Sequence, residues 1–403
     1  MGIRRCAVVW IEPREEASFC LDALLSGGTG VVARLMWRAH APHLPAALEI
    51  DAAQLALLGA LSPVDWVERS TLEPRHGANA VAGLLEAGLL LARDDTGEAA
   101  RADAGFRTAR WHSASALAHH ASRWQGVDAA SAAEDALVRR ATAPPHFRTA
   151  AAGTATVPLP PPATDAFDAL LDARSTCRNY VPDAWVPLAT FSQVMARVFG
   201  ARGMEEYGAD FAMVKRTSPS GGALHPTECW LIVQRVEGIA PGLYRYRIDT
   251  HALEPVAPAI APPQPGDSGT RALGDAAPRA WTADELRAFA RIAVAGQDWF
   301  ADAPVLCALA PRFHRNFWKY RNHAKAYRVA VLDVGHLSQT LQLCATQAGL
   351  GPFITAAINE VDIERAFGLT GYLESPLAVC GFGLRAASMT TPEFDPNRLT
   401  WPR

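Results

Sequence analysis

The spacing of apolar and polar positions divides the chain into elements before any chemistry is considered. Residues 6–11, CAVVWI, form an apolar run of strand length. From Ile50, the stretch IDAAQLALLGALS sets Leu55, Leu58 and Leu61 on one helical face. Pro63 interrupts, and HGANAVAGLLEAG predicts a second helix over Ala80 to Glu86, stopped by Gly88 before a short LLLA strand. Residues 107–124, RTARWHSASALAHHASRW, predict a helix bearing aromatics and histidines. Further on, CWLIVQRV (229–236), GLYRYRI (242–248), APVLCALA (303–310) and SPLAVCGFG (375–383) read as strands. Thr282 and Glu285 have capping-box spacing and open a helix running to about Trp299. The stretch DVGHLSQTLQLCATQA carries Leu337, Leu341, Cys344 and Ala348 on one stripe, with Gly349 placed as its C-cap.

The periodicity lapses twice. Residues 143–163 are rich in Pro, Ala and Thr and read as an extended linker; 255–280, again Pro-rich, read as a surface loop or flap. At 403 residues the chain exceeds what one core organises. The expected division is a winged-helix-like N-terminal domain over 1–142, the linker over 143–163, and an α+β domain over 164–403. The N-terminal outline lacks the basic recognition helix that phosphate contacts need, so peptide docking or a structural role is favoured over DNA binding.

Composition narrows the partners. Apolar residues make up 49% and charged residues 20%, with a formal net charge of −3, so no global field draws the chain to nucleic acid or anionic lipid. The seven cysteines are scattered singly with no CxxC pair, which disfavours a disulfide framework or a zinc site. His112, His119 and His120 lack a carboxylate or Cys at matching spacing, so packing and surface roles are favoured and no metal is expected. Neither a signal peptide nor an apolar stretch of about 20 residues is found, and the expected location is a reducing cytoplasm, away from membranes.

Four stretches carry candidate chemistry. In ARSTCRNY (173–180), an extended backbone projects Arg174, Thr176 and Arg178 to one side, a set suited to a phosphate or polyol. In SPSGGALHP (218–226), Ser218 and Ser220 offer hydroxyls, Gly221 and Gly222 allow close backbone approach, and Pro219 and Pro226 stiffen the ends. The loop has no GKS/GKT or GxGxxG signature, which disfavours Walker-type and dinucleotide Rossmann sites. RFHRNFWKYRNHAKAYR (312–328) interleaves basic and aromatic residues; within it, burial or a neighbouring cation could bring Lys319 or Tyr320 into catalytic range. In AGLGPFITAAINEVDIERAFGL (348–369), small residues at Thr355, Ala356 and Ala357 would let a planar ring lie against the main chain, and a plain helix-to-strand connection would explain them equally.

Taken together and in this order, these stretches resemble the flavin-dependent nitroreductase fold, and more closely its SagB/McbC-type branch, the azoline dehydrogenases of ribosomal peptide maturation. The resemblance rests on Arg174-x-Thr176-x-Arg178-x-Tyr180, the 218–226 loop, Pro241-Gly242-Leu243-Tyr244 with Tyr246, Lys319-Tyr320, Tyr327-Arg328, Asp333-x-Gly335-His336-x-x-Gln339 and Gly349-Leu350-Gly351. It covers roughly 165–385, and the overall plan resembles the peptide maturation dehydrogenase subgroup. Two departures are Thr340, where the branch often has Asn, and the Pro-rich 255–280 insertion.

The resemblance implies FMN as cofactor, held by Arg174, Ser175, Thr176 and Arg178. Ser218, Pro219, Ser220, Gly221 and Gly222 would line the isoalloxazine, with backbone at Ala356 and Ala357 facing it and Arg385 as a weaker phosphate candidate. Lys319 and Tyr320 would be the catalytic pair. It further implies a homodimer, a precursor peptide as substrate, and other peptide-modifying enzymes as partners. The expected activity is oxidation of an azoline to an azole. The alternatives are an NAD(P)H-dependent nitro- or quinone reductase and a non-catalytic leader-peptide-binding scaffold.

Overall fold

A computed structural model describes residues 1–131, 145–148, 151, 153, 155–208 and 211–401. The boundary expected at 142, and residues 143–144, 149–150, 152 and 154 of the expected linker, lie outside the described residues. The chain forms two compact units: Met1–Arg123 with Phe313–Arg328, and Trp124–Arg312 with Val329–Arg403.

The strands of the first unit are β1 (Gly2–Arg5), β2 (Trp10–Phe19), β3 (Val31–His40), β4 (Leu48–Ile50), β5 (Val67–Glu68) and β6 (Leu90–Ala92). Its helices include α1 (Leu21–Leu25), α2 (Ala52–Ala60), α3 (Arg69–His76), α4 (Ala78–Glu86), α5 (Glu98–Ala109) and α6 (Ser113–Ser122). The expected α2, α4 and β6 are present. Asp51 caps α2 through a reciprocal box with Gln54. Leu57, Leu58, Leu84 and Leu90 meet Ile3 in a common core. A three-stranded antiparallel sheet runs β5–β1–β6, and a second runs β2–β3–β4.

Two expectations are corrected here. CAVVWI is not one strand: β1 ends at Arg5 before it and only its last two residues, Trp10 and Ile11, open β2, while Cys6 is buried and its N–H donates to the Leu89 carbonyl (3.0 Å). The first four residues of the run instead fill the turn between two sheets. The 107–124 helix is broken, because Arg110 takes a left-handed conformation (φ 59°) that ends α5 before α6 starts. Trp111 and His112 therefore occupy a corner. The β2–β3 hairpin gave no alternating signal because most of its positions are exposed on both faces.

The second unit contains α7 (Ala166–Ala173), α8 (Leu188–Phe199), α9 (Ala283–Ala293), α10 (Asp298–Ala301), α12 (Lys325–Gln347), counted from Val329 onward, and α13 (Glu360–Phe367). The number α11 belongs to Phe313–Lys319 of the first unit. Two strands pair by themselves, β7 (Gly203–Glu206) with β8 (Ala212–Lys215). The others are β9 (Thr227–Val233), β10 (Gly242–Arg247), β11 (Ala252–Val256), β12 (Val305–Pro311), β13 (Gly351–Thr355) and β14 (Ala378–Gly383). They make one antiparallel sheet in the order β11–β10–β9–β12–β14–β13.

This sheet is covered on both faces, which is why its central strands read as continuous apolar runs. Trp230, Ile232, Leu306 and Ala308 pack with Leu286 and Phe289 of α9 and Phe367 of α13. Cys229, Leu231, Val233 and Cys307 pack with Phe191 and Val198 of α8 and Leu337 and Leu341 of α12. The helix expected from Thr282 to Trp299 ends at Ala293, where Ala295 and Gly296 take positive φ before α10. At the sheet's outer edge, the Cys177 N–H donates to the Pro352 carbonyl of β13 (2.8 Å). A Cβ at Gly351 would lie 2.5 Å from Cys177 Sγ and 2.7 Å from its Cβ, so only glycine permits this approach. Gly351→Ala is therefore expected to destabilise the protein by about 1–3 kcal/mol through overpacking, read as a lowered denaturant midpoint. An unchanged midpoint would show that the edge segment is not held this closely.

Candidate functional site

The extended segment after α7 has the alternation that its sequence suggested. Arg174, Thr176 and Arg178 are half-buried, whereas Ser175, Cys177 and Asn179 between them are buried. The buried set anchors the segment. The Asn179 amide nitrogen donates to the Thr391 carbonyl and to Glu393 (both 2.8 Å), and its oxygen accepts from the Thr390 and Thr391 N–H groups. Alternation then leaves the two arginines on the other side. Arg174 Nη1 donates to Gln342 of α12 (3.2 Å), and the Arg178 guanidinium lies 5.9 Å from the Phe300 ring centroid. Among the described residues neither arginine has a carboxylate within ion-pair distance.

Arg385 differs. It forms an ion pair with the buried carboxylate of Glu393 and donates to Ser175 Oγ (3.1 Å) and the Ser175 carbonyl (3.3 Å). Trp401 also donates to Glu393 (2.9 Å). Its charge is matched inside the protein, and it contacts Ser175, a member of the buried set.

The 218–226 loop is fastened to α12. Ser220 Oγ donates to Asp333 Oδ2 (2.5 Å) and accepts from the His225 N–H (2.9 Å). Asp333 also accepts from the Gly221 N–H (3.3 Å), and Ser218 shares a 2.7 Å hydrogen bond with Thr340. The two serine hydroxyls thus have protein partners, and the exposed groups of the loop are Pro219 and Gly222. Gly221 is required by packing, since a Cβ there would fall 2.3 Å from Val329 Cγ1. Gly222 is required by conformation, at φ 63°. Burial raises the Asp333 carboxyl above its ordinary range, against the hydrogen bonds from Ser220 and Gly221. Sequence reasoning quoted Asp333 without a role and missed Gln342. The charged residue inside an otherwise apolar helical stripe was the available signal for Asp333.

Ala356 and Ala357 follow β13 directly, Ala356 exposed and Ala357 half-buried. The Ala357 N–H donates to Thr355 Oγ1 (3.1 Å), and its carbonyl accepts from Gln297 (2.9 Å). Lys319 and Tyr320 belong to the first unit, at the end of α11. Lys319 is exposed, Tyr320 is half-buried, and the ammonium lies 5.7 Å from the tyrosine ring centroid.

Glu374, before β14, had no signal in the sequence. Trp230 Nε1 donates to its Oε1 (2.6 Å). Burial pushes its carboxyl up to about 7; Trp230 opposes the shift, Glu228 adds to it, and Arg312 and Arg245 oppose it. A carboxyl poised near neutrality can exchange a proton where an ordinary glutamate stays ionised.

The profile described as the Nitroreductase family matches residues 171–384. Among curated relatives, a protein of Methanocaldococcus jannaschii named as a nitroreductase, MJ1384, is 25% identical over 166 residues, covering 41% of this chain and 70% of that one. The trifolitoxin-processing protein TfxB of Rhizobium leguminosarum bv. trifolii is 27% identical over 169 residues, 41% of this chain and 38% of that one. The microcin B17-processing protein McbC of Escherichia coli is 30% identical over 178 residues, 43% of this chain and 56% of that one. The chain thus spans less than two thirds of the length of both peptide-processing relatives.

The Glu374 shift has a sign that can be checked. The folded state holds this proton between about pH 4.5 and about 7, where the unfolded chain has released it, so stability falls as pH rises through that window. Glu374→Gln is expected to remove a pH-dependent loss of about 3 kcal/mol, measured by denaturant melts at pH 4.5 and 8. Parallel pH profiles for the two proteins would place the titrating group elsewhere.

Proposed function

The chain belongs to the nitroreductase family, and on that premise we propose that it is an FMN-dependent dehydrogenase that oxidises a ribosomally made peptide, converting an azoline to an azole. The observation that carries the cofactor reading is the pair Arg174 and Arg178, half-buried on one side of an anchored segment with Thr176 between them and no carboxylate paired with either guanidinium among the described residues. Two forked cations and a hydroxyl fit a phosphate with its polyol chain. Ser175 and Arg385 would support that segment from its buried side. Pro219, Gly222 and Ala356, all exposed, would offer surfaces to a planar ring, with Ser218, Ser220, Gly221 and Ala357 holding their backbones in place. The peptide reading is supported by two relatives named as toxin-processing proteins.

Forming an aromatic azole from an azoline removes one proton and one hydride. Bound flavin supplies the two-electron acceptor. The chain must supply a base for the acidic ring carbon, and Lys319 or Tyr320 is assigned that proton, with the other member of the pair adjusting its charge. Arg174 and Arg178 would neutralise the anionic end of the cofactor, leaving the proton step to the distant pair in the sequence. The protein would act as a homodimer in the cytoplasm, beside other enzymes that modify the same peptide.

Arg178→Ala is expected to weaken flavin retention about 10–100-fold, the equivalent of one lost charge-assisted hydrogen bond, read from visible absorbance after dialysis. Full retention would remove the arginine pair from the cofactor site. Lys319→Ala combined with Tyr320→Phe is expected to lower oxidation of a synthetic thiazoline peptide by at least about 10²-fold while the protein stays yellow. Loss of flavin in that double variant would make the pair structural. Rapid bleaching of bound flavin by NADPH, without peptide oxidation, would favour the nitro- or quinone reductase reading. A chain that purifies colourless and takes up no FMN would favour a binding scaffold.

A further inference from the structure

The corner at Arg110–His112 has no role in the function proposed so far, yet it is where the segment containing Lys319 and Tyr320 is held. Within the first unit, α11 brings Phe313 and Phe317 against Trp111, with ring centroids 4.8 and 4.7 Å away. Beyond the pair, Tyr327 packs on the same indole at 5.7 Å. His119 of α6 closes the cluster: it stacks on Trp111 (5.3 Å, 19° between planes) and stands edge-on to Phe313 (4.9 Å). Its Nδ1 shares a 3.3 Å hydrogen bond with the Tyr327 hydroxyl. Trp111 and His119 are both buried.

The link between the two helices is tied to the same corner by its backbone. The Asn322 N–H donates to the Arg110 carbonyl (3.1 Å). The Asn322 amide nitrogen, oriented to face carbonyls, donates to Arg110 (3.0 Å) and Trp111 (3.2 Å). Asn322 sits at φ 51°, a conformation asparagine tolerates better than most residues. Ser115 Oγ donates to the Ala324 carbonyl (3.4 Å). Lys319 and Tyr320 therefore lie on a short stretch of chain pinned on both sides, by aromatic packing before it and by hydrogen bonds after it.

We propose that the α5–α6 corner, through Trp111, His119 and Asn322, is the positioning element for Lys319 and Tyr320, so that the N-terminal part of the chain is needed to orient the proton-transfer pair. This rests on the reading of that pair as the base. The physical logic is that an exposed lysine keeps its rotamer freedom, so its reach depends on how firmly the backbone beneath it is fixed. A short interhelical link held at one end alone would fray.

The test uses the full-length protein with its flavin. Trp111→Ala and Asn322→Gly should raise amide hydrogen exchange across 318–324 at least about tenfold, with the β12 strand still protected. Asn322→Gly permits the left-handed backbone and removes the side-chain tie, at the cost of some added backbone freedom, so it remains informative if the tryptophan variant folds poorly. Against a synthetic peptide bearing one thiazoline, Asn322→Gly should lower kcat at least about tenfold, leaving KM and flavin content unchanged. Combined with Lys319→Ala it should cause no further loss, because a misplaced base and an absent one are equivalent. Unchanged exchange across 318–324, or a loss that multiplies with that of Lys319→Ala, overturns the positioning role. Full turnover by Lys319→Ala together with Tyr320→Phe overturns the underlying assignment of the pair, even where exchange across the link has risen as described.

Discussion

Covering both faces of a six-stranded sheet confines the chemistry of the second unit to strand ends and the sheet's edge. Interior positions on β9, β12 and β14 are committed to one of two apolar clusters, and an unpaired charge there would carry a large desolvation cost. The polar groups of interest all follow that constraint. Arg174 to Arg178 run outside β13, the 218–226 loop precedes β9, Ala356 and Ala357 leave the end of β13, and Glu374 precedes β14. Helix α12 ties two of these pieces together, since Asp333 and Thr340 hold the loop and Gln342 holds Arg174.

The same side-chain type reads differently in different surroundings. Arg174, Arg178 and Arg385 were equally basic in the sequence, but Arg385 is matched by Glu393, whereas among the described residues neither of the other two guanidiniums has a carboxylate within ion-pair distance. The carboxylates show the converse. Asp333 is raised by burial while held by a serine and a backbone N–H, and Glu374 is raised to near neutrality with an indole as its direct donor.

How much of this the sequence revealed depends on whether a feature is local. The alternation at 174–178 was legible because an extended chain has a fixed period of two. The strands β9, β10, β12 and β14 and the caps at Thr282 and Gly349 were legible for similar reasons. The hydroxyls of Ser218 and Ser220 were legible as a polar loop, but no local rule says whether they face a ligand or a helix over a hundred residues later. Gly351 stood in the sequence as part of the Gly349-Leu350-Gly351 motif, whereas its absent side chain makes room for Cys177. The break at Arg110 was hidden because an arginine in a left-handed conformation carries no compositional mark. The Glu374 shift was hidden because it arises chiefly from burial, which the tertiary fold imposes, and is adjusted by Trp230, Glu228, Arg312 and Arg245, drawn from separate strands and loops.

The Cys177–Pro352 hydrogen bond also bears on how the molecule behaves in solution. An open sheet is a template for further strands, and exposed edges invite association between chains. On one side of this sheet, the 174–178 segment lies along β13 and occupies part of its bonding capacity. On the other, β11 carries Pro255 opposite Tyr244, and proline has no N–H to offer a newcomer. A segment proposed to hold a cofactor thereby also guards an edge, so loosening it would expose strand as well as release ligand. Aggregation and loss of colour would then be two signs of one local event.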